Sequence, residues 1–230
     1  MSINSELKNL RFLLNSGISS FIQNTPNNRY QYKPKIEDNI KKIQDFHLDD
    51  ISNLNDLKLF ALKTTNHKNV IFSDGNPDSK IMLIGGVLNS EEIKIGKLFS
   101  GSSGMLLDKM LNSINLDRKL VYLTNIVPSF LNQDKELDST EVLKYLPIIQ
   151  KHIELIQPSI LVLLGKIAAK TILTTNINIE KLRGKWHKYN SLKLKKDINV
   201  RVTYHPNDLL ENLEYKKKAW IDLKEIQKIL

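Results

Sequence analysis

Three side chains in this 230-residue chain have the types and settings that polar chemistry on a planar ligand needs. Asn125, in YLTNIV, carries an amide that accepts and donates at neighbouring atoms, so it can read a donor–acceptor pair on a ring edge. His205, in VTYHPNDLL, precedes Pro206, which fixes the turn and removes a donor. A histidine placed so can be held neutral and donate to developing negative charge. Phe99, in KLFSGSSG, is a ring in a Gly/Ser-rich loop, where aromatics stack on planar ligands. Gly85 and Gly86 end the apolar run IMLIGG and allow close backbone approach. Glu91 and Glu92 follow them as the only acids between residues 81 and 104. Each residue also has a plainer reading: a turn or cap for Asn125 and His205, a core ring for Phe99, a tight turn for the glycines.

Much other chemistry is excluded. The chain has no cysteine, which removes disulfides and cysteine-held zinc or iron–sulfur centres, so no cofactor is expected. Its five histidines, His47, His67, His152, His187 and His205, form no HxxxH or HExxH pair, so no metal site is expected. Neither GxxxxGK[ST] nor GxGxxG follows the first apolar run. The net charge of +9, from 34 basic and 25 acidic residues, attracts polyanions, of which nucleic acid is the commonest. A chain rich in Lys, Asn and Ile from AT-rich coding carries the same charge without that partner. The composition, 41% hydrophobic and 26% charged, is that of an ordinary globular protein. No apolar run approaches the roughly 18–20 residues of a membrane span, and the acid-containing amphipathic N-terminus is not a secretory signal. A cytoplasmic monomer with no membrane partner is expected.

The elements that must position these residues follow from periodicity. Four short, nearly continuous apolar runs, 80–86, 120–127, 159–165 and 200–205, read as strands covered on both faces. Helical patterns at 103–114, 139–156, 166–173 and 215–230 separate or follow them. Alternating strand and helix predicts a parallel sheet with helices on both sides, an α/β fold whose ligands bind beyond the strands' carboxyl ends. Those ends carry Gly85-Gly86, Thr124-Asn125, Gly165-Lys166 and His205-Pro206. Residues 1–78 read as an N-terminal helical extension packed on the core. In it, helices at 7–14, 36–47 and 54–64, a polar linker at 27–36 and a turn-rich segment at 72–80 precede the main domain, 79–230. RGKWH, 183–187, reads as a basic loop able to clamp phosphate through Arg183 and Lys185, or simply as a solvated loop.

The order and spacing of these segments say more than any one of them. GG-x4-EE-I-x2-G-x2-F-x-G, then YLTN, SILVLLG, LRGKWH and VTYHPNDLL form one ordered set. The set resembles the uracil-DNA glycosylase superfamily, in particular its bacterial family 4, from about residue 7 to the C-terminus. The resemblance implies a three-layer α/β/α sandwich around a central parallel four-stranded sheet. It implies a partner, uracil-containing DNA, whose uracil is flipped out and cut at its N-glycosidic bond in base excision repair. By position, Phe99 would stack on the base, Asn125 would pair with its edge and His205 would donate to its O2. The backbone of Gly85, Gly86 and Val87 would touch the base, and Glu92 would lie beside the pocket. Leu209 or Leu210 would wedge into the duplex, with Arg183, Lys185 and Pro206 at the DNA.

The chain also departs from the family's pattern. The family's GEAPG reads here Gly85, Gly86, Val87, Leu88, Asn89, so the Glu that helps place or activate the water is Gly86. Ile93 stands for the Asp of the family's ED pair and Leu98 for the Pro before the pocket Phe. Phe60 and Tyr145 stand where two cluster cysteines would fall. PSFLNQDKE, 128–136, replaces a basic, Pro-rich stretch, and Asp208 puts a negative charge where DNA phosphate is expected. Two functions follow: a uracil-DNA glycosylase of weakened or altered activity, or an impaired module that binds DNA or damaged bases.

Overall fold

The computed structural model of the protein describes residues 47–65, 70–129 and 142–230. The helices expected at 7–14 and 36–47, the linker at 27–36 and most of the 128–136 stretch lie outside these residues. The four apolar runs are strands β2 (Ile81–Val87), β3 (Tyr122–Val127), β4 (Ile160–Leu164) and β6 (Ile198–Thr203). They pair in parallel in the order β3-β2-β4-β6. Their residues are almost all buried because helices cover both faces, which is why the runs show little alternation.

The expected four-stranded parallel sheet is extended to six strands by two antiparallel edges. β1 (Asp74–Gly75) pairs antiparallel with β3, and β5 (Trp186–Tyr189) antiparallel with β6. β1 is two residues inside a turn-forming segment, and β5 lies in the stretch read as a basic loop, so neither has a strand's apolar signature. Both close the parallel sheet with a short edge, which limits strand addition from outside.

Residue parity divides the core. Met82, Ile84, Tyr122, Ile126, Leu161, Leu163, Val200 and Val202 point to one face, and Ile81, Leu83, Leu123, Ile160, Val162 and Leu164 to the other. The first face is covered by α1 (Leu54–Thr65), α4 (Leu146–Ile156) and α5 (Gly165–Ile172) through Leu57, Ala61, Ile149, Ile153, Ala168 and Ala169. On the second face α2 (Ser90–Ile95) follows β2, and the cover comes from α3 (Gly101–Asn112), α7 (Pro206–Glu211) and α8 (Leu213–Gln227). Their core contacts include Leu107, Leu111, Leu209, Leu223 and Ile226. A short α6 (Ile179–Leu182) leads to β5. The described residues all fall in one compact unit. Each buried aliphatic side chain contributes roughly 1.5–3 kcal/mol, so the two faces together provide the main stabilisation.

The chain passes from β2 to β3 on one side and then to β4 on the other, so a crevice opens at the carboxyl ends between β2 and β4. No helix among the described residues is long and apolar enough to cross a membrane.

Candidate active site

The last turn of β2 serves both faces of the sheet. Gly85 points toward α3 and Gly86 toward α5, as alternation requires. Gly85 is the cross-strand neighbour of Asn125. A Cβ on Gly85 would lie 2.1 Å from Asn125 Oδ1 and 2.8 Å from Phe99 Cζ, so only glycine leaves room for both side chains. Asn125 is therefore inside the strand, not at a turn or helix cap, which removes its plainer reading.

Asn125 is 3% exposed, and neither its Oδ1 nor its Nδ2 has a hydrogen-bond partner among the described residues. Ser100, Ser129 and Thr203 each leave one hydroxyl in that condition, but among the described residues Asn125 alone leaves two polar atoms, a fixed donor next to a fixed acceptor. A buried polar group without a partner costs about 1–3 kcal/mol, and native folds rarely tolerate it without a use.

Phe99 lies beside this amide with its backbone in the left-handed region, φ 47°. That conformation is unfavourable for a large side chain and persists only when neighbours enforce it. Here the Phe99 N–H donates to Glu92 Oε1 at 2.5 Å, and Arg118 donates to the carbonyls of Leu98 and Phe99. Gly104 completes the clamp, since a Cβ there would sit 1.7 Å from the Phe99 carbonyl oxygen. Arg118 is itself held by Asp74 and Asp108, at 2.8 and 2.7 Å. Sequence reading missed Arg118: it lies in a polar turn, and only the fold brings it beneath the Phe99 loop.

Glu92 lies near the pocket, as expected, but as a brace. Its other oxygen accepts from the Asn89 N–H at 2.8 Å, while Asn89 Oδ1 accepts from Glu92 N–H, a reciprocal cap on α2. Burial raises its pKa against the pull of these two N–H bonds and of Arg118. With both oxygens engaged, it is not placed to activate water.

His205 starts α7, and its ring lies 5.8 Å from that of Phe99, centroid to centroid. Nδ1 accepts from the Asn207 backbone N–H at 3.2 Å. An accepting Nδ1 carries no proton, so the neutral ring holds its proton on Nε2, a donor free for a ligand. Burial lowers the pKa to about 4, so the ring stays neutral at physiological pH. Gly165, at φ 88°, makes the space: a Cβ there would lie 2.9 Å from His205 Cβ.

A cavity of about 230 Å³ opens at the β2–β4 crevice. Gly86, Val87, Asn89, Lys166, Ile167, His205 and Asp208 are among its walls. Ile167 from α5 stands against Gly86, where an added Cβ would meet Ile167 Cβ at 3.0 Å and Cδ1 at 3.1 Å. An isoleucine therefore crowds the position at which the family pattern has Glu. Asp208 does not face outward as a bare repulsive charge. It is half-buried, and one oxygen accepts from the His205 N–H at 3.2 Å.

Two expected DNA contacts change. Arg183 is bound to Asp222, at 3.0 Å, and to the Lys218 carbonyl, at 2.6 Å, and stacks over Tyr204, so it ties α6 to α8. Asp222 is fully buried and also holds Arg201 of β6, so removing Asp222 would leave the buried Arg201 guanidinium without a counter-ion. Leu209 is 1% exposed and belongs to the core, leaving Leu210, at 42%, as the outward residue of the pair. Pro206 is buried beneath the turn, and Lys185 is exposed.

The fold is that of an α/β protein whose strand ends bring Gly86 and His205 to one cavity, with Asn125 and Phe99 beside Gly85. The family model of the Uracil DNA glycosylase superfamily matches residues 72–224, and the chain belongs to that superfamily. It is 30% identical over 197 residues to the Type-4 uracil-DNA glycosylase of Sulfurisphaera tokodaii, covering 84% of this chain and 85% of that one. The Type-4 uracil-DNA glycosylase of Saccharolobus solfataricus is 32% identical over 168 residues, 71% of this chain and 77% of its own. That of Thermotoga maritima is 30% identical over 164 residues, 71% and 82%. The residues here do not fit the iron–sulfur cluster that the family pattern carries. The chain has no cysteine, Tyr145 is buried in the apolar cluster under α1 and α4, and Phe60 packs against it.

Proposed function

We propose that the protein is a uracil-DNA glycosylase that flips uracil from DNA and hydrolyses its N-glycosidic bond. The observation that carries this reading is the buried, unpartnered amide of Asn125 beside Phe99 and Gly85. Uracil presents an acceptor, O4, next to a donor, N3–H, and the amide's Nδ2–H and Oδ1 complement that pair. Cytosine reverses the pattern and would place donor against donor. Phe99 stacks on the ring. As the bond breaks, negative charge grows on uracil, and the Nε2–H of His205 donates to O2. Because His205 is already neutral, its donor needs no titration near neutral pH.

The expected setting is DNA base excision repair by a cytoplasmic monomer. Leu210 fills the gap left by the flipped base, while Lys185 and the positive charge of the chain favour the phosphates. A second reading, a module that binds DNA or damaged bases without cutting, draws support from Ile167 standing against Gly86. The two separate in one assay. Wild-type protein is incubated with oligonucleotides that differ only in holding uracil or cytosine. Free uracil from the first and no base from the second is expected. Retention of both oligonucleotides with no base released would favour the binding module.

A further inference from the structure

The missing Glu at position 86 leaves the attacking water without its usual partner, so the site's other carboxylates decide whether hydrolysis has a base. Glu91 points at Gly101, where an added Cβ would lie 1.9 Å from its Oε2. Glu92 has both oxygens bound by backbone N–H groups. Asp208 differs from both. It lines the same cavity as Gly86 and His205, and one oxygen accepts from the His205 N–H. Its second oxygen has no hydrogen-bond partner among the described residues. Lys166, across the cavity, supplies a balancing charge.

We propose that Asp208 is the catalytic carboxylate of this chain, holding and deprotonating the water that attacks the sugar. The assignment rests on the glycosylase reading. Asp208 takes one proton from water as the water oxygen bonds to C1′ of the deoxyribose. The C1′–N1 bond breaks, and its electron pair leaves with uracil, whose O2 accepts from His205 Nε2–H. The proton on Asp208 is then returned to solvent or to the uracil anion. The hydrogen bond from His205 N–H ties the carboxylate to the start of the helix that carries the oxyanion donor, so base and donor are positioned together. Burial raises the Asp208 pKa while Lys166 and the His205 N–H lower it, the burial effect being largest, which makes it a better proton acceptor than a free aspartate.

Single-turnover uracil release from a single-stranded oligonucleotide tests this, with wild type, Asp208→Asn and Asp208→Ala side by side. Asparagine keeps an acceptor for the His205 N–H, so the helix start and uracil-DNA binding are retained. Release by Asp208→Asn is expected to fall about 100-fold, the scale of a lost general base. Added formate, a small carboxylate able to enter the cavity, is expected to restore part of the rate of Asp208→Ala. A structural cap would show no such rescue. Asp208→Asn within threefold of wild type, or a slow Asp208→Ala that formate does not accelerate, would overturn the assignment while leaving the glycosylase reading in place. No release by wild type would overturn both.

Discussion

The loop after β2 and the loop after β6 meet at one cavity, yet they differ in how they relate to the family pattern. After β6, the His205-Pro206 turn keeps its histidine, with its tautomer set by the Asn207 N–H and its space by Gly165. After β2, Gly86 has no side chain, Ile167 crowds it, and Asn89 caps a helix where the pattern has glycine. In the proposed function, the groups assigned to base recognition and charge stabilisation are thus kept, while the position of the family's Glu is filled differently. The two duties are separable because they lie on opposite faces of β2: Gly85 faces Asn125 and Phe99, and Gly86 faces α5.

The contrast can be broken by restoring what the first loop lacks. Gly86→Glu alone meets Ile167 and should cost stability, by about 1–3 kcal/mol. In an Asp208→Asn background, Gly86→Glu together with Ile167→Ala should raise uracil release about 100-fold. No gain in that triple variant would show that the rebuilt face cannot take a carboxylate at 86. A second test sharpens the recognition side. Asn125→Leu replaces a buried amide without partners by an apolar side chain of similar size. Thermal unfolding should then show a gain of about 1–3 kcal/mol, with uracil release lost. A destabilised Asn125→Leu would mean that the amide is satisfied in the free protein.

The pH dependence of stability contrasts His205 with the other buried histidine. His152 is stacked on Phe72 and bonded to the Tyr122 hydroxyl at 2.7 Å, and burial lowers its pKa to about 3. His205 is lowered to about 4, against an ordinary 6.5 for both. At these two rings the unfolded chain therefore binds more protons than the folded one once pH falls below about 6.5. The urea midpoint should hold above pH 7 and decline steadily from pH 6.5 toward 4. A midpoint that rises over that interval would contradict both burials. The smallest effect is expected at the duplex wedge. Leu210→Ala should slow release from a G·U duplex severalfold and leave single strands unaffected. Equal loss on both substrates would give Leu210 another role.

The sequence makes the parallel core legible because its four strands are buried on both faces and read as plain apolar runs. The edge strands escape it: Asp74–Gly75 is made of turn residues, and Trp186–Tyr189 has charged neighbours. Of the candidate site, Gly85, Asn125 and His205 are legible from their order at strand ends, and Phe99 from its Gly/Ser-rich loop. What they bind to is not. Arg118 under Phe99, Ile167 against Gly86 and Asp222 capturing Arg183 are contacts across 19, 81 and 39 positions of chain, and no local pattern announces them. Nor does local sequence show that Arg183 is held by Asp222 or that Asp208 accepts from the His205 N–H, because burial and partners are set by the fold.

The most direct test compares single-turnover uracil release by wild type and by His205→Asn. Asparagine is a good helix cap, so it keeps the start of α7 while removing the Nε2–H donor. The expected result is release by wild type and a rate lower by about 10²–10³-fold in His205→Asn, with uracil-DNA still bound. Equal rates in the two proteins, or no release from either, would contradict a uracil site built on His205.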